Sequence, residues 1–470
     1  MPVAYAFDVL GGDSGWWTLT KWLAALSVVW GLRTWSRGYV CREQRELVGK
    51  TYILTGSLSG VGSSVLQYLA AAGAQVVVLT PEPLSPRVVQ LLLLLRSTTE
   101  NERLYAEQCD LTDARSIRHF VKGWQKDARG GMVQDLEARI DGVIFCDDDD
   151  EDDGRARAPG IGAAAPAPAS ASGMSSYGMN RLTGRHALVR LLLPTLLRSA
   201  STSTSPLRII NAVSPFYATV TAATFRPDDV EYRSPVAPRY PSSQPWIAHG
   251  QIALASILLW REFHKRIRSN GTEVPAAAAA ATAAAGKEEE APPSADVADA
   301  IPLLALSVCP GLLRSTVRSL FRASPSSPDF SVFGCAAYLA VYPLVWLFAK
   351  SAEEGAQVVL AALMADVYKE GREQQQRTER TARGPDGKPV EAGERKKRAP
   401  LDEDRPPLLV GPGALYREGL EVRLPQLEAL GSTAAAQVWE SQTKMVEQMA
   451  ASVVKAEKDV EASTPSTAQA

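Results

Sequence analysis

The sequence has few of the residues that hold metal ions or form disulfide bonds. It contains five cysteines and four histidines in 470 residues, with no CxxC pair and no HExxH motif. An odd number of scattered cysteines is typical of a reducing compartment rather than of a disulfide framework. We therefore expect neither a metal site nor disulfide bonds. The cysteines are Cys41, Cys109, Cys146, Cys309 and Cys335.

The chain also lacks an excess of charge of either sign. Its 50 Lys and Arg residues nearly balance its 52 Asp and Glu residues, which leaves a formal net charge of −2 at pH 7. Proteins that bind nucleic acid through its phosphates present a basic field. No nucleic-acid partner is therefore expected.

Several long stretches lack the apolar residues that a core requires. Residues 147–173 and 268–300 are low-complexity insertions, and residues 370–406 are charged and polar. Segments of this composition are typical of disorder. The sequence predicts four regions: an N-terminal hydrophobic segment at 1–45, an α/β domain at 46–369 that carries both insertions, a disordered segment at 370–406, and a C-terminal extension with an amphipathic helix at 407–470.

Two hydrophobic segments raise the question of a membrane. Trp16–Trp35 has about the 20 residues that cross a bilayer, with a cationic residue near each end. We expect it to anchor in or span a membrane, and the alternative is an amphipathic helix lying on a membrane or on the protein. Phe330–Ala349 has no charges, and spanning, lying in the interface and packing as a buried helix all remain open for it. The expected location is the endoplasmic reticulum or a lipid droplet surface, with the mitochondrial membrane as an alternative.

Short apolar runs alternate with helical patterns through the α/β region. Ala74–Thr80, for example, is a run of β-branched residues that is typical of a strand buried on both faces. Alternating strands and helices predict a doubly wound parallel sheet with helices on both faces. The predicted strands are Thr51–Leu54, Ala74–Thr80, Leu104–Cys109, Ile140–Cys146, Leu207–Val213 and Ile301–Cys309.

A glycine-rich loop, TGSLSGVG at residues 55–62, follows the first predicted strand. A loop that cradles phosphate lies between the first strand and its helix in sheets of this kind. Gly56 allows a tight turn, Gly60 permits close approach of a pyrophosphate, and Gly62 lets the helix pack on the strand. The free N–H groups at the helix start favour an anion. The alternative is a turn that binds nothing.

These motifs together resemble the short-chain dehydrogenase/reductase family. The loop is similar to its TGxxxGxG motif, and CDL at 109–111 resembles the segment that contacts adenine. PG at 310–311 with RS at 314–315 resembles its PGxxRT signature, and residues 349–357 are similar to the retinol-dehydrogenase-like branch. The C-terminal VWESQTKMVEQM is similar to fungal members of that branch. The resemblance implies a Rossmann-type sheet that binds a nicotinamide dinucleotide through Thr55, Gly56, Ser57, Ser59, Gly60, Val61, Gly62, Asp110, Leu111, Pro310 and Gly311.

The resemblance also implies an active site, from which two expected residues are missing. Family members use a Tyr that donates a proton and a Lys four residues later, and none of the 13 tyrosines here has a Lys four residues on. Matching AHGQIALASILLWREF to the family places His249 at the Tyr position and Ala253 at the Lys position. Ser214 and Asn180 match the family's Ser and Asn. The catalytic candidates are therefore Ser214, His249 and Asn180.

The expected cofactor is NADP, with NAD as the alternative. Thr80 and Pro81 supply no carboxylate for the ribose hydroxyls after the second strand, which mildly favours NADP. Asp147 and Asp148 stand where the family has a small-residue turn, and aspartates beside a bound phosphate would repel it.

Two functions remain open from the sequence. One is a membrane-associated NAD(P)-dependent oxidoreductase acting on a lipid-like or small carbonyl or alcohol. The other is a catalytically dead pseudoenzyme that binds a dinucleotide or acts as a scaffold at a membrane. Family members pair through helices equivalent to 175–197 and 246–267, so a homodimer is a further expectation, although the adjacent insertions oppose it.

Overall fold

The structure is a computed structural model that describes residues 13–41, 45–130, 139–146, 160–161, 174–203, 206–234, 241–269, 303–323, 330–367, 409–410, 413–417, 420–422 and 425–463. The insertions predicted at 147–173 and 268–300 lie outside the described residues, apart from residues 160–161 and 268–269. The segment 370–406 also lies outside them, as do Asp147 and Asp148.

An eight-stranded sheet forms the centre of the described residues. Its strands are β1 (Thr51–Thr55), β2 (Gln75–Thr80), β3 (Leu104–Gln108), β4 (Gly142–Phe145), β5 (Leu207–Ala212), β6 (Leu303–Cys309), β9 (Leu415–Arg417) and β10 (Leu420–Glu421), beside a separate parallel pair of β7 (Asp366–Val367) and β8 (Leu409–Val410). The order in the sheet is β10-β9-β6-β5-β4-β1-β2-β3. Neighbouring strands are parallel, except that β9 and β10 are antiparallel.

The Rossmann-type α/β class predicted from the sequence is confirmed, as are the six predicted strands, with small shifts of their ends. The short strands β9 and β10, which extend the sheet beyond β6, were not predicted. The helices are α1 (Asp13–Arg37), α2 (Gly60–Ala71), α3 (Pro86–Thr99), α4 (Ala114–Gly130), α5 (Ser176–Gly178), α6 (Gly184–Thr202), α7 (Pro245–Ser269), α8 (Arg314–Leu320), α9 (Val332–Phe348), α10 (Ala352–Met364) and α11 (Pro425–Ser463).

The two faces of the sheet carry separate apolar cores. Successive side chains of a strand point to opposite faces, so Leu54 joins the core formed with α2, α3 and α10. Its neighbour Ile53 joins the core formed with α4, α6 and α7. Both side chains are fully buried. Burial on both faces explains why these strands read as continuous apolar runs.

The parallel register brings the carboxyl ends of β1, β4, β5 and β6 to one edge of the sheet. The amide of Cys146, after β4, donates to the carbonyl of Thr55 at the end of β1 (3.1 Å). The amide of Val213, after β5, donates to the carbonyl of Val308 in β6 (2.8 Å). Ligands bind at this edge in open sheets of this kind.

The C-terminal helix α11 packs on the helices that were expected to form a dimer. The Thr183 hydroxyl donates to Oε1 of Gln442 (2.7 Å), and the rings of His186 and Trp439 meet edge-on at 4.8 Å. Trp439 also lies 6.1 Å from Phe263 of α7. Pairing through these faces of α6 and α7 would have to displace α11, and the homodimer stays a prediction.

Helix α1 packs against α9, and both expose large apolar side chains. The Ser36 hydroxyl of α1 donates to the carbonyl of Leu347 in α9 (2.7 Å). In α9 only Val345 is fully buried, so the alternative of a buried helix at Phe330–Ala349 is wrong. No helix among the described residues is long and apolar enough to cross a membrane. The prediction of a spanning segment at Trp16–Trp35 is therefore not borne out.

Candidate functional site

The glycine-rich loop connects β1 to α2 at the carboxyl edge of the sheet. Gly56 and Gly60 have φ values of 64° and 57°, in the left-handed region that favours glycine. A Cβ atom on Gly62 would lie 1.6 Å from the carbonyl oxygen of Gly56. The chain therefore passes so close to the start of α2 that no other residue fits at position 62.

Two hydroxyl groups of this loop are buried without a protein partner. Thr55 Oγ1 and Ser57 Oγ have no hydrogen-bond partner among the described residues, and the two residues are only 4% and 1% exposed. A buried polar group without a partner costs free energy. An oxygen-rich ligand at the positive end of α2 would satisfy both hydroxyls.

The other residues expected to hold a cofactor lie along the same edge. Oδ1 of Asp110 accepts hydrogen bonds from the amide (2.8 Å) and the hydroxyl (2.6 Å) of Thr112. Leu111 is buried against α6, where its carbonyl oxygen would lie 2.1 Å from a Cβ on Gly184. Gly311 has a φ of 96° and faces the side chain of Lys350.

A cavity opens beside the end of β5, under the first turns of α7. Its free volume is about 10 Å³, room for about one water molecule, and it is partly open to solvent. The structure brings together in it three residues that the sequence placed at the active site, Ser214, His249 and Ala253. Asn180 is not among the lining residues. The lining consists of Tyr177, Arg181, Arg185, Ala212, Val213, Ser214, His249, Ile252, Ala253 and Ser256.

His249 does not hydrogen-bond to Ser214 in this cavity. The Ser214 hydroxyl is buried and has no partner among the described residues. Nδ1 of His249 instead lies 3.3 Å from the Tyr177 hydroxyl oxygen. Tyr177 is not among the residues predicted from the sequence. Its one signal there is Arg181, a basic residue four positions on.

Arg185 places a positive charge at the carboxyl ends of β4 and β5. It is 2% exposed, and its guanidinium donates to the carbonyl of Cys146 (3.1 Å) and to Oδ1 of Asn211 (2.7 Å). Its Nε donates to the carbonyl of Asn180 (3.1 Å). The Asn211 amide in turn donates to the Ser256 hydroxyl on α7 (2.8 Å). A cation thus lines the same cavity as Ala253, the residue that the sequence analysis matched to the family's lysine position. This cation was not predicted from the sequence.

The chain is similar to oxidoreductases over most of its length. It is 25% identical over 355 residues to an uncharacterized oxidoreductase, pbr1, of Schizosaccharomyces pombe, which covers 75% of this chain and 80% of the relative. It is 26% identical over 255 residues to retinol dehydrogenase 12 of Mus musculus, which covers 54% of this chain and 68% of the relative. No protein-family model matches the chain.

Among solved structures, the chain is similar to an uncharacterized protein from Mycobacterium paratuberculosis, with a TM-score of 0.44 and 18% identity over 87% of this chain and 98% of that one. It is also similar to RhlG of Pseudomonas aeruginosa in its complex with NADP, with a TM-score of 0.38 and 18% identity over 67% of this chain and 90% of that one.

Proposed function

We propose that the chain is a member of the short-chain dehydrogenase/reductase family. As such it is an NADP-dependent oxidoreductase that transfers a hydride between a nicotinamide and a lipid-like or small carbonyl or alcohol. One observation carries the proposal. At the carboxyl edge of the sheet, three buried hydroxyl groups, those of Thr55, Ser57 and Ser214, have no partner among the described residues. Two of them lie in the glycine-rich loop and one lies in the cavity beside His249.

The residues of the loop fit a dinucleotide phosphate. The N–H groups at the start of α2 and the hydroxyls of Thr55 and Ser57 would hold it, while Gly60, whose Cβ position meets no atom within 4 Å, leaves it room to approach. Asp110 would face the adenine, as the family resemblance implies. When bound, the nicotinamide would supply or accept the hydride. Side chains of this chain would hold the substrate oxygen and move the proton.

The cavity supplies groups that hold a substrate oxygen and move a proton. The Ser214 hydroxyl would hydrogen-bond the carbonyl oxygen and orient it. His249 carries a group that can both donate and accept protons. Val213 and Ile252 would supply the apolar part of the lining beside the reacting carbon. Asn180 would act at a distance, because its backbone carbonyl holds Arg185.

The exposed faces of α1 and α9 support action at a membrane surface. Trp22, Trp30 and Trp35 of α1 are each more than 70% exposed. Tryptophan is favoured at the interface of a bilayer, and two packed apolar helices can lie in that interface without crossing it. The expected membrane is the endoplasmic reticulum or a lipid droplet. On α9, the large exposed side chains are Val332, Phe333, Leu339, Val341, Tyr342, Leu344, Trp346 and Phe348.

Flotation with phosphatidylcholine vesicles tests the membrane surface. Wild-type protein should float with the vesicles, and the double variant Trp30→Ser/Trp346→Ser should remain in the soluble fraction. Leu84→Ser is the matched control, because Leu84 is 89% exposed but lies outside both helices. Two outcomes contradict interfacial binding: equal flotation of all three proteins, or a wild-type protein that does not float.

Cofactor binding followed by turnover tests the oxidoreductase. NADPH and NADH are titrated by fluorescence, and retinal-like and short-chain carbonyls are then assayed. Ser214→Ala should bind NADPH as tightly as wild type but turn over at a lower rate, while Ser97→Ala on the exposed face of α3 should match wild type in both. Binding without turnover of any carbonyl supports a dinucleotide-binding pseudoenzyme. Absence of binding refutes the oxidoreductase and leaves only the scaffold.

A further inference from the structure

Tyr177 brings a hydroxyl group into the cavity from outside α7. Its side chain is buried, and its ring centroid lies 5.4 Å from that of His249. The turn that carries it is fixed, because the Ser175 hydroxyl accepts a hydrogen bond from the Gly178 amide (3.0 Å). Oε2 of the buried Glu231 accepts another from the Ser175 amide (2.9 Å). The position of the hydroxyl is therefore set by the fold before any ligand binds.

Arg181 lies over the ring of Tyr177. The carbon of its guanidinium is 4.5 Å from the ring centroid, and both residues line the cavity. Between them the helix widens into a π-helical turn at Met179–Thr183, a feature that occurs often at functional sites. A guanidinium at this distance makes a cation–π contact that holds the ring in place.

Ser214 marks where a substrate oxygen would bind. Its buried hydroxyl has no partner among the described residues and shares the cavity with Tyr177 and His249. A carbonyl oxygen held there would be in the same small space as the Tyr177 hydroxyl. A proton donor (Tyr177), a proton relay (His249) and an orienting hydroxyl (Ser214) thus line the same cavity. The family resemblance places His249 and Ser214 at the active site but does not include Tyr177.

We propose that Tyr177 donates the proton to the substrate oxygen, that His249 returns a proton to Tyr177, and that Arg181 is a positioning residue for the Tyr177 ring. This inference rests on the proposed oxidoreductase function. In reduction, the carbonyl carbon would gain the hydride that a reduced nicotinamide gives up, and the nicotinamide would be left oxidised. The carbonyl π bond breaks, and its oxygen takes the proton of Tyr177 Oη. Nδ1 of His249 then gives its proton to Tyr177 while water supplies one at Nε2.

Substitutions at the pair test this assignment by kinetics. Tyr177→Phe should lower kcat by about 10²-fold or more, the range of general acid catalysis, with KM and the NADPH dissociation constant unchanged. Arg181→Met should also lower kcat, and Arg181→Lys should restore much of it because a lysine keeps the charge. Tyr217→Phe is the matched control, since Tyr217 is buried nearby but does not line the cavity.

A second readout requires neither cofactor nor turnover. The imidazole NMR signals of His249, assigned by their loss in His249→Gln, should shift in Tyr177→Phe and stay in place in Tyr217→Phe. If the His249 signals do not shift in Tyr177→Phe, the contact between Tyr177 and His249 is refuted. Full activity of Tyr177→Phe in a protein whose wild type is active overturns the donor role alone. A wild type that binds NADPH but reduces no carbonyl overturns the proposed function, and the donor role with it.

Discussion

The guanidinium of Arg33 lies 2.6 Å from Oε1 of Glu354 and ties α1 to the start of α10. Burial raises the pKa of Glu354, but hydrogen bonds from the Ser351 backbone and from Arg33 outweigh it, so that the pKa is lowered overall. The two residues are 321 positions apart. This ion pair therefore attaches the N-terminal helix to the α/β domain.

Breaking this pair should loosen α1. Arg33→Met and Glu354→Gln should each speed amide hydrogen exchange in α1, and the double variant should show a coupling of about 0.5–3 kcal/mol in the free energy of opening. Because the folded-state pKa of Glu354 is lowered, the protection should be present above its unfolded pKa and lost as pH falls through the folded value. Glu353→Gln, an exposed neighbour, should change neither. Additive effects of the two substitutions would contradict the link.

The glycine-rich loop should tolerate no side chain at position 62. Gly62→Ala places a Cβ against the Gly56 carbonyl, so it should lower both the NADPH affinity and the free energy of unfolding. Gly123→Ala in α4 meets no atom within 4 Å. It should leave NADPH binding unchanged and raise stability by roughly 0.5–1 kcal/mol. Fluorescence titration and urea unfolding measure both quantities, and unimpaired binding by Gly62→Ala would refute the close approach.

Arg185 should matter more for stability than an exposed arginine of the same helix. Arg185→Met leaves the buried carbonyl of Cys146 and Oδ1 of Asn211 without their donor, at a cost of about 1–3 kcal/mol for each group. Arg190→Met removes only an exposed pair with Glu447 (3.1 Å) and should cost about 1 kcal/mol or less. Similar losses in urea unfolding for the two variants would show that the network around Arg185 is not stabilising.

His186 should make the protein sensitive to acid. Burial, and then the charge of Arg190, lower its pKa from 6.5 to about 3. The unfolded chain binds a proton below pH 6.5 that the folded chain excludes. Stability is therefore complete above that pH and falls by up to about 1.4 kcal/mol per pH unit as pH decreases towards 3. His186→Phe, which keeps a ring against Trp439, should flatten this dependence in urea unfolding, and the exposed His119→Gln should not. An unchanged slope in His186→Phe would contradict the burial of a neutral imidazole.

The sheet and the glycine-rich loop could be predicted because their signals are local. The β-branched run around Val76–Val78 and the glycines at 56, 60 and 62 are each read within one short window. The partner of His249 could not be read in this way. Tyr177 is 72 positions away, on a helix that only the parallel sheet brings beside α7. The packing of α1 on α9 depends in the same way on a distant contact.

Transfer of a deuteride tests the central claim most directly. Wild-type protein is incubated with retinal-like and short-chain carbonyls and with NADPH that carries deuterium on one or the other face of C4. The masses of the product alcohols are then measured by mass spectrometry. The proposed function predicts an alcohol heavier by one mass unit with one of the two stereoisomers and not with the other. NADPH that binds tightly while no alcohol gains deuterium would contradict it.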